Sequence, residues 1–231
     1  MRKTLLIISL VAAMAVDANA QTGNARFGIK LGPTFDWASS GSTAVTNEGF
    51  RLGANLGLVC DYHVTSYFAV SSGVDLNILN MKYTFTDHRY VEDFLVETNV
   101  PVSRRLNAIN IEIPVKAKLS FDVADSFKAY AEVGLGLGIN CRDVGKDNYS
   151  FYWVNYGEDK GYVDCTNQYR PLQLAMKFGL GTEYEINRNL STFAQLTFNH
   201  AISNAFISSL ENQTGSILRN NFIGVEVGLL H

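Results

Sequence analysis

Two groups of side chains have the types that hydrolytic chemistry uses. His200 lies three positions before Ser203, and Asp87, His88 and Asp93 fall together in another polar stretch. A histidine beside a hydroxyl or a carboxylate is the minimum that nucleophilic or general-base catalysis requires. Neither spacing matches a defined catalytic motif. We therefore predict no catalytic residue and no enzymatic activity.

The polar stretch between residues 140 and 170 is both acidic and cysteine-bearing. Its carboxylates could bind calcium weakly, although an acidic loop in contact with water is the simpler expectation, and we predict no metal site and no cofactor. These acidic residues are Asp143, Asp147, Glu158, Asp159 and Asp164. Cys141 and Cys165 bracket the stretch and are candidates for a disulfide, with three free thiols, including Cys60, as the alternative.

The same stretch is rich in aromatic residues. Exposed Tyr and Trp side chains are typical of recognition surfaces, so they predict contacts with a protein or glycan partner. An alternative, compatible with the first, is that they extend the neighbouring strands as a hairpin. The candidates are Tyr149, Phe151, Tyr152, Trp153, Tyr156 and Tyr162.

A period-two pattern predicts the elements that position these residues. Every odd position from Phe27 to Trp37 is apolar, whereas the even positions hold glycine, lysine, threonine and aspartate. This alternation places two different sets of side chains on the two faces of a β-strand. Seven further segments follow it, beginning near residues 50, 68, 109, 127, 172, 190 and 222.

The connections between these eight segments alternate in length. The short ones are Asp61–Ser66, Asp122–Ser126 and Ile186–Asn189, and the long ones are Ala38–Glu48, Thr86–Arg105, Asn140–Arg170 and Ala201–Arg219. An even number of antiparallel strands with short turns at one end and long loops at the other is typical of bacterial outer membrane barrels. Both chain ends then fall on the short-turn, periplasmic side.

The start of the chain has the features of an export signal. Arg2 and Lys3 precede an apolar run, and Ala18-Asn19-Ala20 has the form of a cleavage site. We therefore predict a signal peptide at residues 1–20 and one barrel domain at 21–231. The formal net charge of −3 does not favour nucleic acid as a partner. No later segment has the apolar length of a transmembrane helix.

Alternation alone fits two kinds of barrel. A soluble, lipocalin-like barrel is apolar inside and holds a small ligand, whereas a membrane barrel is apolar outside. The apolar face of this chain carries almost no charge, and its polar face combines charge with many glycines, which suits a narrow interior. We predict an eight-stranded antiparallel up-and-down transmembrane β-barrel of the OmpA and OmpX type, with short periplasmic turns and long extracellular loops.

The inward face is then a set of nearly balanced charges. An eight-stranded barrel is just filled by its side chains, so we expect paired charges and not an open channel. The alternative is a path for protons or ions. The predicted interior network comprises Lys30, Arg51, Asp75, Glu112, Lys116, Lys128, Glu132, Lys177, Glu183 and Glu226.

Two irregularities interrupt the pattern. After Ile78 the apolar residues change from even to odd positions, which predicts either a bulge near Ile78–Asn80 or a strand that continues beyond its buried zone. Pro114 stands inside the fourth segment although proline has no N–H to donate. We expect a bulge or a missing ladder bond there.

Four runs of the sequence have a recognisable pattern: Ile111–Leu119 (IEIPVKAKL), Ala129–Gly136, Phe178–Tyr184 and Gly28–Gly32. Together they resemble the PorT-like outer membrane β-barrel family of Bacteroidetes-type bacteria. The chain ends in Leu229-Leu230-His231, where many outer membrane barrels end in an aromatic residue.

This resemblance implies an outer membrane location reached by way of the barrel assembly machinery, with membrane lipid around the wall. It leaves two functions open. One is a structural or binding barrel that acts through its extracellular loops. The other is an accessory barrel for protein secretion or outer membrane assembly.

Overall fold

The predicted eight-stranded antiparallel barrel is confirmed. The computed structural model describes residues 25–40, 45–91, 96–151, 154–156, 162–187, 189–207 and 217–231, so the predicted signal peptide lies outside it. The barrel strands are β1 Ala25–Ser40, β2 Arg51–His63, β3 Phe68–Val91, β4 Val96–Ala124, β5 Phe127–Phe151, β6 Leu172–Asn187, β7 Leu190–Ala201 and β8 Leu218–Leu230. Each pairs with the next, and β8 pairs with β1 to close the barrel.

The long connections carry smaller elements of their own. These are the short strands Val45–Asn47, Val154–Tyr156 and Val163–Asp164 and a 3₁₀ turn at Thr166–Gln168. The described residues contain no helix long and apolar enough to cross a membrane.

The apolar face is the outer face. On β1, Leu31 is 55% exposed, whereas its neighbour Lys30 is 3% exposed. The same contrast separates Leu135 from Glu132 on β5 and Leu180 from Lys177 on β6. A barrel that exposes leucine and buries lysine is matched to lipid outside and polar groups inside. The lipocalin-like alternative is therefore wrong.

Strand β3 passes through its irregularity without a bulge. Its pairing with β4 keeps one register on both sides of Ile78, and its pairing with β2 keeps one register up to Ile78, where that pairing ends. The odd positions point inward throughout, first as Asp75 and Asn77 and then as four buried apolar residues. These four are Leu79, Met81, Tyr83 and Phe85. The bulge predicted at Ile78–Asn80 is wrong, and the alternative of a strand running beyond its membrane zone is right.

Three strands extend far beyond the others at the long-loop end. Strands β3, β4 and β5 have 24, 29 and 25 residues. The predicted loops Thr86–Arg105 and Asn140–Arg170 are therefore partly strand, since β4 begins at Val96 and β5 ends at Phe151. Sequence reasoning took these stretches for loops because their outer face, which lies in water, is as polar as a loop.

Three departures from regular pairing occur in β4 and its neighbours, one of them a register shift between Asp122 and Ala124 beside the short turn to β5. Between β4 and β5 the register shifts after Ile109, where Cys141 becomes the extra residue of a bulge. Between β3 and β4 the ladder skips the pair opposite Pro114 while the register stays the same. The missing ladder contact predicted at Pro114 is confirmed. The Ser72 hydroxyl instead donates to the Pro114 carbonyl at 2.8 Å.

Candidate functional site

A chain of alternating charges crosses the barrel interior at mid-height. The Lys30 ammonium lies 3.1 Å from both Asp75 Oδ2 and Glu226 Oε2. The Lys177 ammonium lies 3.1 Å from the same Asp75 oxygen and also pairs with Glu112. Because these five residues come from five different strands, the network fills the lumen from wall to wall.

A second charged layer lies nearer the periplasmic turns. Lys118 Nζ lies 2.7 Å from Asp61 Oδ2 and 3.6 Å from Glu183 Oε2. Arg26 Nη2 donates to Glu183 at 2.9 Å, and Lys116 pairs with Glu132. The sequence-based network omitted Arg26 and Asp61, although the alternation that selected the others also places these two inward.

Two members of the predicted network lie outside these layers. Lys128 pairs with Glu185 at 2.7 Å at the periplasmic rim, with about a third of each side chain exposed. Arg51 is half-buried at the opposite end of β2, where it pairs in register with Asp36 of β1. Neither belongs to the ion pairs that fill the lumen.

A row of amide side chains caps the charged interior. Asn55, Asn77, Asn110 and Asn140 occupy successive paired positions on β2, β3, β4 and β5. Asn55 Nδ2 donates to Asn77 Oδ1 at 2.7 Å. The neighbouring cavity measures about 20 Å³, room for about one water molecule, so the lumen is not open at this level. Sequence reasoning could not align these asparagines because their register was unknown.

Above the amide row the interior becomes apolar. We call this part of the molecule the extension: β3 beyond Ile78, β4 before Ile109, β5 beyond Cys141, and the segments 165–170 and 205–206 packed inside them. Its core contains Leu79, Met81, Tyr83, Phe85, Val100, Val102, Leu106, Ala108, Tyr169 and Phe206, all at most 4% exposed. The barrel thus has a polar interior within the membrane and a protein-like core outside it.

One buried arginine ties the extension together. Arg104 of β4 donates from Nε and Nη2 to the two oxygens of Asp147 on β5, at 2.6 and 2.8 Å. Its Nη1 donates to Gln168 and, at 3.3 Å, to the Tyr169 hydroxyl. Burial lowers the pKa of Arg104, but the hydrogen bond to Asp147, together with the electrostatic interactions with Tyr169, Tyr83 and Asp147, outweighs burial and raises the pKa above its ordinary value. The guanidinium therefore stays charged and links two strands to the 165–170 segment.

The predicted disulfide is not formed, and all three cysteines are free thiols. Cys141 is exposed on the bulge, whereas Cys165 is buried inside the extension, with its thiol directed to the Asp143 carbonyl at 3.6 Å. Burial raises the pKa of Cys165 to about 11, so its thiol is protonated and unreactive at neutral pH.

Of the predicted recognition aromatics, the structure describes the side chains of Tyr149 and Tyr162. Tyr149 packs partly against the extension core, and Tyr162 is 52% exposed. Phe151 and Tyr156 lie in a strand pairing that continues β5, which is the hairpin alternative. Tyr152 and Trp153 lie outside the described residues, as do the side chains of Phe151 and Tyr156.

The three acidic residues of the same stretch that the structure describes have different surroundings. Asp143 is buried, and desolvation raises its pKa to about 6. Asp147 is paired with Arg104, while Asp164 is exposed. Glu158 and Asp159 lie outside the described residues. Within the described part of the chain no group of His, Cys, Asp and Glu has the arrangement of a metal site.

The hydrolytic candidates are not brought together where the structure describes them. His200 lies on the outer wall, with its ring stacked on Phe198 at 6.3 Å, and Phe198 in turn stacks on Trp37. Ser203 Oγ accepts from the Leu174 backbone N–H at 2.9 Å. Asp93 and the side chains of Asp87 and His88 lie outside the described residues.

Solved structures of known barrels are similar to this chain, although distantly. Neisserial surface protein A shares 13% identity over 87% of this chain and 95% of its own, with a TM-score of 0.41. Ail, the attachment invasion locus protein of Yersinia pestis, shares 10% over 90% and 99%, with 0.42. The outer membrane protease OmpT of Escherichia coli shares 12% over 90% and 96%, with 0.40.

No curated protein sequence matches the chain. The model of one family does match, over residues 19–209, and its description is outer membrane protein beta-barrel domain. Those residues run from the end of the predicted signal peptide to the connection before β8. The chain therefore belongs to the outer membrane protein β-barrel domain family.

Proposed function

We propose that this protein is a non-conducting, non-enzymatic outer membrane barrel that binds a protein or glycan through its extension. The observation that carries the proposal is the apolar core of the extension, which stands on a lumen filled by ion pairs. A barrel with a closed pore and a second core above the membrane is suited to displaying a binding surface for a protein or glycan.

The rigidity of the extension supports this function. Arg104 and the Tyr83–Tyr169 hydrogen bond join β3, β4 and β5 to the loop segments inside them. Binding surfaces that are ordered before contact lose less conformational entropy when a partner docks. A partner would therefore meet a preformed wall together with exposed groups such as Tyr162.

Conductance measurements test the closed lumen. The refolded protein, recorded in planar bilayers beside a general porin, is expected to give no stepwise current. Regular single-channel steps from the wild-type barrel would contradict the proposal and would favour the ion-path alternative.

A deletion tests the role of the extension. A variant lacking residues 150–161 keeps Tyr149 and the Arg104 cluster and should still show heat-modifiable migration. Purified wild-type protein should bind ligands on glycan and protein arrays that this variant does not bind. Equal binding by both proteins would exclude this part of the extension as the recognition surface.

The second candidate is an accessory role in protein secretion or assembly. The run IEIPVKAKL at Ile111–Leu119, which resembles the PorT-like group, favours it. In that case a strain without the barrel should show an export defect, and the 150–161 deletion should restore export as well as wild type does.

A further inference from the structure

Three basic side chains form a row on the outer face of the extension. Lys82 of β3 pairs in register with Arg105 of β4, which pairs in register with Lys146 of β5. Their neighbours along each strand, such as Arg104 and Leu106, are buried inside, so these three point outward. We call Lys82, Arg105 and Lys146 the basic row.

Contacts among the residues that the structure describes do not account for the basic row. Lys82 pairs with Glu48, but Arg105 and Lys146 form no ion pair with any residue that the structure describes. Like charges placed directly opposite each other on neighbouring strands destabilise a sheet. An arrangement of this kind is favourable when an anion lies over it.

The height of the row indicates where that anion comes from. Ile109 is the outward-facing apolar residue of β4 that lies nearest the extension, and Arg105 lies two outward positions above it. Four residues of a tilted strand correspond to about 10 Å above the hydrocarbon. Lys and Arg side chains are long enough to reach back from there into the headgroup layer.

We propose that the basic row binds the phosphate groups of a phosphorylated glycolipid of the outer leaflet, the lipid A class. Arginine binds a phosphate through two parallel N–H bonds, and flanking lysines add charge at the same site. A lipid is favoured over a soluble anion because the row lies directly above the apolar wall of β3–β5, along which acyl chains can pack.

Lipid A added to the mature protein folded in detergent tests the proposal. Wild type should bind lipid A. Binding should raise the midpoint of thermal unfolding, which is measured by heat-modifiable migration. In the variant Lys82→Gln/Arg105→Gln/Lys146→Gln the apparent affinity should fall at least about tenfold, which corresponds to the loss of one charge-assisted bond. Added salt should weaken binding to the wild type.

The matched control is Arg219→Gln. Arg219 stands at the equivalent height on β8, four residues above Ile223, but pairs in register with Ser39. This variant should bind lipid A as wild type does. Without lipid, the triple variant should be about as stable as wild type, because relief of the repulsion between like charges offsets loss of the partly exposed Lys82–Glu48 pair. Its unfolding midpoint without lipid is measured first, so that a folding failure cannot imitate the result.

Three outcomes would overturn the proposal. The first is equal lipid A binding by wild type and the triple variant. The second is equal binding of lipid A after its phosphates are removed. The third is the same stabilisation by inorganic phosphate, which would identify a site for a free anion. None of these outcomes depends on whether the extension also binds a protein or glycan.

Discussion

Lys177 shows what holds the membrane part of this barrel closed. Its side chain is fully buried, and it joins Glu112 of β4 to Asp75 of β3. A buried ion pair contributes little over a well-packed apolar pair, but removal of one partner leaves the others buried without compensation. The closed lumen is therefore stable only while every member of this charge network is present.

We expect Lys177→Met to lower the free energy of unfolding by about 3–5 kcal/mol, because Glu112 then loses the one ion-pair partner that the structure describes for it and Asp75 depends on Lys30 alone. Urea unfolding in detergent or vesicles measures this change. The control is Lys128→Met, which removes the exposed pair with Glu185 and should lower stability by about 1 kcal/mol or less. Equal losses in both variants would show that burial does not govern these pairs.

Sequence reasoning could select most of the interior residues but not their partners. Alternation identified Lys30, Asp75 and Lys177 as inward, since one face of each strand is polar. Which carboxylate meets which lysine depends on strand register and barrel tilt, and these follow from turns and packing across the lumen. Arg104 was missed because it lies in a stretch whose outer face looks like a loop.

At the scale of elements, β3 passes through two different surroundings while its register with β4 stays the same. Up to Ile78 its outer face meets lipid, and from Leu79 its inner face meets a protein core. The strand itself does not change. The sequence pattern alone left a bulge and a longer strand equally open, because both move apolar residues to the opposite parity.

The extension core gives a prediction at this scale. Phe206 is fully buried against Tyr83, Phe85 and Tyr169. Phe206→Ala should destabilise the extension by about 3–5 kcal/mol. Limited proteolysis should then cleave the 85–105 and 142–170 regions faster, while heat-modifiable migration persists. Leu180→Ala, on the lipid-facing wall, is the control and should not change the cleavage. Loss of the whole barrel in Phe206→Ala would show that the two parts fold as one unit.

At the scale of the whole molecule, closure depends on the two ends of the chain. Phe27 N–H donates to the His231 carbonyl at 2.9 Å, and His231 N–H donates to the Phe27 carbonyl at 2.7 Å. Leu230 points inward and packs with Tyr130 and Phe193, so the last residues also fill the periplasmic end of the lumen. These last residues do not include the aromatic residue that many outer membrane barrels have, but they help to close the barrel and to fill its lumen.

Removal of Leu229–His231 should therefore prevent closure of the barrel. Strand β8 then loses its last hydrogen bonds to β1 and also Leu230, which fills the periplasmic end of the lumen. The expected result is loss of heat-modifiable migration, measured on protein refolded in detergent so that cellular assembly factors play no part. Leu229→Ala alone changes a lipid-facing side chain and should still fold. A truncated chain that migrates as a closed barrel would contradict this role for the terminus.

Between Ile78 and Leu79 the outer face of β3 changes from apolar to polar and its inner face from polar to apolar. This change also fixes how deeply the barrel sits in its bilayer. A shift of the barrel by one outward position, about 7 Å along a strand, would carry Asn80 and Asn107 into hydrocarbon in one direction or lift Ile78 and Ile109 into water in the other. A closed barrel has no hinge that could absorb such a mismatch. A bilayer whose hydrocarbon layer is thinner or thicker than the apolar outer surface must therefore deform around the protein. The extent of that deformation depends on the local thickness of the membrane.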